Sequence, residues 1–145
     1  MVFVAGPRQV GKTTLARSLP GGAEGYLSWD APEDRERILR RELVACHLLK
    51  WVHFQQDTQG RDLELRYFRD LEGREVDFVV TERRRPVLMV ECKAADAPLD
   101  RSLRYLKTRF PDCPAWQLSA QGTRDYQTPE GIRVAPGLVL LGQLV

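Results

Sequence analysis

An α/β sandwich is the fold class the sequence predicts: a helix, a three-stranded antiparallel meander, a second helix and a further strand, preceded by a short strand–loop–helix segment. Three observations carry this. Apolar and polar residues begin to alternate after Gly60 and do so through three runs separated by turn residues. Helical spacing returns at Asp100, with Leu99, Leu103, Leu106 and Phe110 along one stripe. A glycine-rich break at Pro20–Gly25 sets a short first unit apart from the rest.

Met1–Ala5 reads as a buried strand, Gly6–Gly11 as a loop, Lys12–Leu19 as a short helix and Tyr26–Trp29 as another brief strand. Residues 1–30 form the first expected unit and 31–145 the second. Asp30 and Glu33 are spaced to cap each other's backbone amides, with Pro32 in the first turn, so a helix starts here and is expected to run to about Trp51. Ala45, Cys46, Leu49 and Val52 give its expected inward stripe, which Glu42 continues at three- and four-residue spacing. The meander is expected at Leu63–Asp70, Arg74–Glu82 and Pro86–Lys93, with turns at Glu72–Gly73 and Arg83–Pro86. The second helix covers Asp100–Phe110, and Pro114–Ser119 and Gly131–Ala135 read as short strands before an apolar tail that closes as strand or helix.

A chain of 145 residues, 43% hydrophobic and 29% charged, is long and apolar enough for one core, which excludes a disordered chain. The net charge of +2 does not by itself argue for a polyanionic partner. Local patches do more: Arg101, Arg104 and Lys107 recur every three residues opposite the apolar stripe, and Arg83–Arg85 crowd a hairpin tip. Both are candidate phosphate contacts to DNA that would position a duplex without reading its sequence, although a solvated basic face gives the same pattern. The longest apolar run, near Leu138–Leu141, is far short of the roughly 20 residues that cross a bilayer, and no basic leader follows Met1. A cytoplasmic protein without a membrane partner is expected. Cys46, Cys92 and Cys113 form no C-x-x-C pair, against a disulfide framework or thiolate zinc site, and His47 and His53 fall on different helix faces.

Gly6-Pro7-Arg8-Gln9-Val10-Gly11-Lys12-Thr13 fits the nucleotide loop G-x-x-x-x-G-K-[ST] at every fixed position, after a strand and at a helix start. Glycines let successive amides wrap a phosphate, Lys12 would reach the outer phosphates of ATP and Thr13 would ligate magnesium, with Thr14 beside it. ATP hydrolysis is not expected, because no later apolar run ends in Asp-Asp or Asp-Glu to supply the second magnesium ligand. The segment is therefore either a nucleotide-binding unit or a remnant that serves packing alone.

In Val87–Lys93 the odd positions share a face, so Glu91 and Lys93 project together about 6.6 Å apart along the strand. If the preceding hairpin turns about Arg84, Asp77 lies directly across from Glu91, with Cβ atoms roughly 5 Å apart. A slip of one residue would break this register. Two facing carboxylates beside apolar Val79 and Met89 resist ionisation unless a cation neutralises them, and hard oxygen ligands suit Mg²⁺ or Mn²⁺. Lys93 would then orient or deprotonate water, or steady charge on phosphorus. Glu42 offers a third acid. The alternative is a surface ion-pair set, Glu91 with Lys93 and Asp77 with a nearby arginine.

Glu75-Val76-Asp77-Phe78 followed by Val90-Glu91-Cys92-Lys93, with Glu91 fourteen positions after Asp77, resembles the PD-(D/E)XK nuclease signature. The two ends together resemble a prokaryotic family of AAA+-type ATPases with a nuclease-like C-terminal domain of unassigned function. Gly6–Leu15 and Tyr26–Asp34 are similar to the start of the ATPase; Glu42-Leu43-Val44, Arg66–Phe68, Glu75–Phe78 and Glu91–Lys93 are similar to the C-terminal domain. By this resemblance Gly6, Gly11, Lys12, Thr13 and Thr14 match the nucleotide loop, and Glu42, Asp77, Glu91 and Lys93 match the nuclease-fold acids and lysine. The middle of the ATPase has no counterpart here, which implies an internally deleted relative. The functions expected are Mg²⁺-dependent phosphodiester hydrolysis of DNA, a nucleotide-binding fragment, or a catalytically silent DNA-binding or interaction module. The short first unit would also suit exchange between protomers of a homo-oligomer.

Overall fold

The structure, a computed structural model, describes residues 32–144, with side chains from Arg41 onward. The chain divides into two compact units, Met1–Ile38 and Leu39–Val145. The expected elements before Pro32, including the nucleotide-loop residues Gly6, Gly11, Lys12, Thr13 and Thr14, lie outside the described residues.

Helix α1 spans Pro32–Gln59. Sequence reasoning ends it near Trp51, but nothing between Trp51 and Gly60 breaks a helix, and it continues for two further turns. Gly60 closes it in the left-handed region (φ 62°), its amide donating to the Gln56 carbonyl at 3.0 Å. The buried stripe is Val44, Leu48 and Val52, not the expected Ala45, Cys46, Leu49 and Val52; Cys46 and Leu49 face solvent. Apolar residues almost encircle this stretch from Leu43 to Leu49, so spacing alone does not fix its rotation.

Three strands follow as the expected meander: β1 (Leu63–Arg69), β2 (Glu75–Glu82) and β3 (Arg85–Lys93). Helix α2 (Arg101–Arg109) crosses over to β4 (Ala115–Ser119), which pairs parallel to β3. A two-residue strand β5 (Tyr126–Gln127), not anticipated from the sequence, precedes β6 (Ile132–Pro136), and the apolar tail turns into helix α3 (Gly137–Leu141). The six-stranded sheet runs β1-β2-β3-β4-β6-β5, so β3, β4 and β6 are neighbouring parallel strands whose carboxyl ends share one edge.

Alternation along the strands divides the core into two clusters. Val80, Leu88, Val90 and Leu118 pack with Val44, Leu48 and Val52 of α1 and Leu140 of α3. Val79, Met89 and Ala115 pack with Leu103 and Leu106 of α2. Fully burying each such aliphatic side chain contributes about 1.5–3 kcal/mol, so the sheet is held from both sides. Lys107 does not lie opposite the stripe of α2 with Arg101 and Arg104. It is buried, and its ammonium donates to the carbonyls of Pro111 and Cys113 at 2.6 and 2.8 Å. Its long stem lies along apolar surface while its charge closes the loop after α2.

The β2–β3 hairpin turns on two residues, Arg83 and Arg84, both with positive φ (47° and 67°). Glu82 pairs with Arg85 and Thr81 with Pro86. The register then shifts by one, so that Val80 faces Leu88, Val79 faces Met89 and Phe78 faces Val90. The turn is one residue shorter than a turn centred on Arg84, and the bulge restores the register expected for Asp77 and Glu91.

Candidate active site

Beyond the Phe78–Val90 pair, side chains replace the backbone ladder between β2 and β3. The Asp77 amide donates to Glu91 Oε2 at 3.2 Å, and the Cys92 amide donates to Asp77 Oδ2 at 3.0 Å. On its other edge β2 is bulged, because Arg66 pairs with Val79 and Phe68 with Val76, leaving Asp77 and Phe78 outside the pairing with β1. Asp77 thus stands where β2 parts from both neighbours, a position at which bulges commonly re-aim a side chain.

Glu91 is 6% exposed and the Asp77 side chain 11%. Lys93 Nζ lies 2.8 Å from Glu91 Oε1 and 2.7 Å from Asp100 Oδ2. Asp100 also caps α2, its Oδ1 accepting from the amides of Ser102 and Leu103. Buried Gln117, the register partner of Glu91 on β4, pins the approach to that helix. Its Oε1 accepts from the Asp100 amide at 2.7 Å and its Nε2 donates to the carbonyls of Ala97 and Pro98. From α1, Arg41 reaches Asp77 Oδ1 at 2.7 Å.

Desolvation pushes the Asp77 carboxyl above its ordinary range, against the opposing pull of Arg41 and the Cys92 amide. Glu91 is raised by burial first and by the Asp77 charge second, with Lys93 only partly offsetting both. Burial opposes the charge on Lys93, but its hydrogen bonds to Asp100 and Glu91 win, and its ammonium is held above the usual lysine range. Asp100 goes the other way: burial raises it, but the Lys93 hydrogen bond and the α2 amides bring it below the ordinary value. Burial, then the neighbouring carboxylates, drives the Cys92 thiol up, away from the thiolate form.

Asp77, Glu91 and Lys93 are therefore brought together. Among the described residues no hydrogen bond or ion pair joins Glu42 to them; the residue of α1 that does so is its neighbour Arg41. Nor does any group of three or more His, Cys, Asp and Glu among the described residues lie where it could hold a metal ion. Two carboxylates remain as candidate ligands. Each of their oxygens accepts one bond and keeps a second lone pair, a hard-oxygen donor set of the kind Mg²⁺ or Mn²⁺ takes. Both ion pairs of the alternative reading are also formed, but on largely buried acids. Sequence reasoning misses Arg41, Asp100 and Gln117. Asp100 carries a usable signal as a helix cap, and Gln117 follows once β4 is placed parallel to β3.

Among the described residues no helix is long and apolar enough to cross a membrane. No curated protein and no solved structure matches the chain. A family model does match, over residues 42–138, which takes in α1 from Glu42, the whole sheet and the start of α3. By that match the chain belongs to the family described as a domain of unknown function, DUF4143.

Proposed function

We propose that this domain is a PD-(D/E)XK nuclease-like module in which Asp77 and Glu91 hold Mg²⁺ or Mn²⁺ for hydrolysis of DNA phosphodiesters. The observation that carries the reading is the pair itself. Two largely buried carboxylates meet where β2 and β3 separate, and both are pushed up despite the cations beside them. Such a pair favours additional positive charge. A divalent ion bound there would polarise a phosphoryl oxygen and lower the pKa of a bound water.

Lys93 stays protonated between Glu91 and Asp100, so it serves as a fixed positive charge for the oxygens of the phosphorus centre rather than as a base. Asp100, locked as the α2 cap and held by Gln117, fixes where that ammonium sits. Arg41 is 39% exposed and long enough to leave Asp77 for a phosphate. A second reading, a catalytically silent DNA-binding or interaction module, is favoured by Arg41 resting on Asp77, where it already supplies the charge a metal would.

The test incubates the purified chain with plasmid, branched and single-stranded DNA in Mg²⁺ or Mn²⁺. Cleavage reduced more than about a hundredfold by Asp77→Ala is the expected result. Cleavage that survives Asp77→Ala overturns the reading. So does salt-sensitive DNA binding without cleavage of any substrate, which is the outcome for the silent module.

A further inference from the structure

We propose that the tip of the β2–β3 hairpin is a phosphate-binding surface for nucleic acid, made by the guanidinium groups of Arg83, Arg84 and Arg85. This goes beyond the hydrolytic reading. The tip lies at the far end of β2 from Asp77, about 20 Å along the strand, and its contacts need no metal.

All three arginines are exposed, and among the described residues none of them forms an ion pair. By contrast Arg66, Arg74, Arg104 and Arg133 each rest on an acid. The acids beside the tip do not serve it. Glu82 is held at both oxygens by Arg61, and Asp62, whose carbonyl accepts from the Arg83 amide at 3.2 Å, pairs with none of the three. Four arginines, Arg61 included, stand here against Asp62 and Glu82, so this end of the hairpin carries an excess of positive charge.

The backbone of the turn points the same way. A two-residue hairpin turn with φ of 47° and 67° is filled without strain by asparagine and glycine, whereas an arginine Cβ in this region crowds the following carbonyl. Two neighbouring residues held there, with no partner inside the fold, are accounted for by a contact outside it.

The composition of the tip selects the partner. Glu82–Pro86 holds no aromatic or large aliphatic side chain, so the tip has neither the apolar face that lies on a lipid surface nor the apolar centre of a protein interface. It offers charge in planar, two-pronged form, which matches phosphate oxygens. Phosphates recur about every 3.4 Å of helix axis along each strand of a duplex, so neighbouring arginines meet neighbouring phosphates. A two-stranded antiparallel ribbon is also narrow enough for the major groove. Such contacts position nucleic acid without reading its bases.

Fluorescence anisotropy of a labelled duplex of about 20 base pairs, titrated with the full chain in EDTA across a salt series, tests the tip apart from metal chemistry. Arg83→Asn combined with Arg84→Gly removes two charges and gives the turn the residues its geometry favours. That double variant should bind about tenfold or more weakly at about 0.1 M salt, with a log–log salt slope smaller by about one to two. It should also melt about 2–8 °C higher, because the strain is relieved. Arg104→Ala, which removes an exposed arginine already paired with Glu130, should bind as the parent chain does. The proposal is overturned if the double variant binds like the parent, or if Arg104→Ala weakens binding as much. A lower melting temperature also overturns it, since the arginines would then be serving the fold. So do vesicles of anionic lipid that bind the parent more tightly than the duplex does and lose that binding in the double variant. Tip-dependent binding without cleavage of any DNA sinks the hydrolytic reading and leaves the tip standing. Cleavage with binding indifferent to the double variant does the reverse.

Discussion

Of the three acids on strand β2, Asp77 near its start and Glu82 at its end are held in opposite ways. At the hairpin end, Glu82 receives a two-pronged bond from Arg61, Nε to Oε1 at 3.0 Å and Nη2 to Oε2 at 2.9 Å. That hydrogen bonding brings its carboxyl below the ordinary value. At the other end Asp77 also has an arginine, yet burial keeps its carboxyl raised. The first pair is complete and ties β2 to the chain between α1 and β1. The second is under-compensated: positive charge is wanted there and only partly supplied. Charge pairing alone does not mark a functional acid; the balance between burial and pairing does.

The largest effect that would sharpen this contrast is at Lys93, which serves two acids at once. Lys93→Ala leaves Glu91 and Asp100 without their shared cation, and the expected loss is about 2–3 kcal/mol in urea unfolding, since a buried carboxylate is stranded. A loss below about 0.5 kcal/mol would mean that water screens the cluster as it does a surface pair, and the two ends of β2 would then be alike.

Arg41 gives the next effect. If its guanidinium competes with a metal for Asp77, Arg41→Ala binds Mn²⁺ about three- to tenfold more tightly in calorimetry, a change of roughly 0.7–1.4 kcal/mol. Arg61→Ala, at the completed pair, should leave Mn²⁺ affinity as it is. Equal effects at the two arginines would remove the distinction between the ends.

Much of this is legible in the sequence, and the failures have physical causes. The meander, the nearness of Asp77 to Glu91 and the bond from Lys93 to Glu91 follow from period-two alternation. The register up to Phe78–Val90, which brings Asp77 beside Glu91, comes out right through two compensating features, a tighter turn at Arg83–Arg84 and a bulge before Leu88. Neither shows in an alternation pattern, because arginine is a poor advertisement for positive φ. Arg41 is hidden because the expected phase of α1 differs from the observed one by about one residue. The buried stripe through Val44 and Leu48 continues to Arg41, whereas the stripe through Ala45 and Leu49 points to Glu42. Lys107 reads as a solvated charge because spacing cannot reveal that the loop to Cys113 leaves two carbonyls for it to close. A two-residue strand such as β5 has no periodicity to read.

The smallest effect is the most diagnostic, because it is a difference in sign. Glu91 is raised from the ordinary glutamate value of 4.5, so the folded chain holds its proton more tightly than the unfolded chain. Stability linked to it is full below 4.5 and is lost as pH rises through the raised value. Glu82 is lowered from the same value, so its contribution is present above 4.5 and is lost as pH falls through the lowered one. Glu91→Gln and Glu82→Gln therefore change different limbs of the stability profile. Relative to the Glu91→Gln variant the parent chain should lose ground as pH rises above 4.5 and run level below it. Relative to the Glu82→Gln variant it should run level above 4.5 and lose ground in acid. Urea midpoints from about pH 3 to about pH 8 read both limbs. Two slopes of the same sign would show that Glu91 is as fully compensated as Glu82, leaving the cluster no unmet demand for a cation.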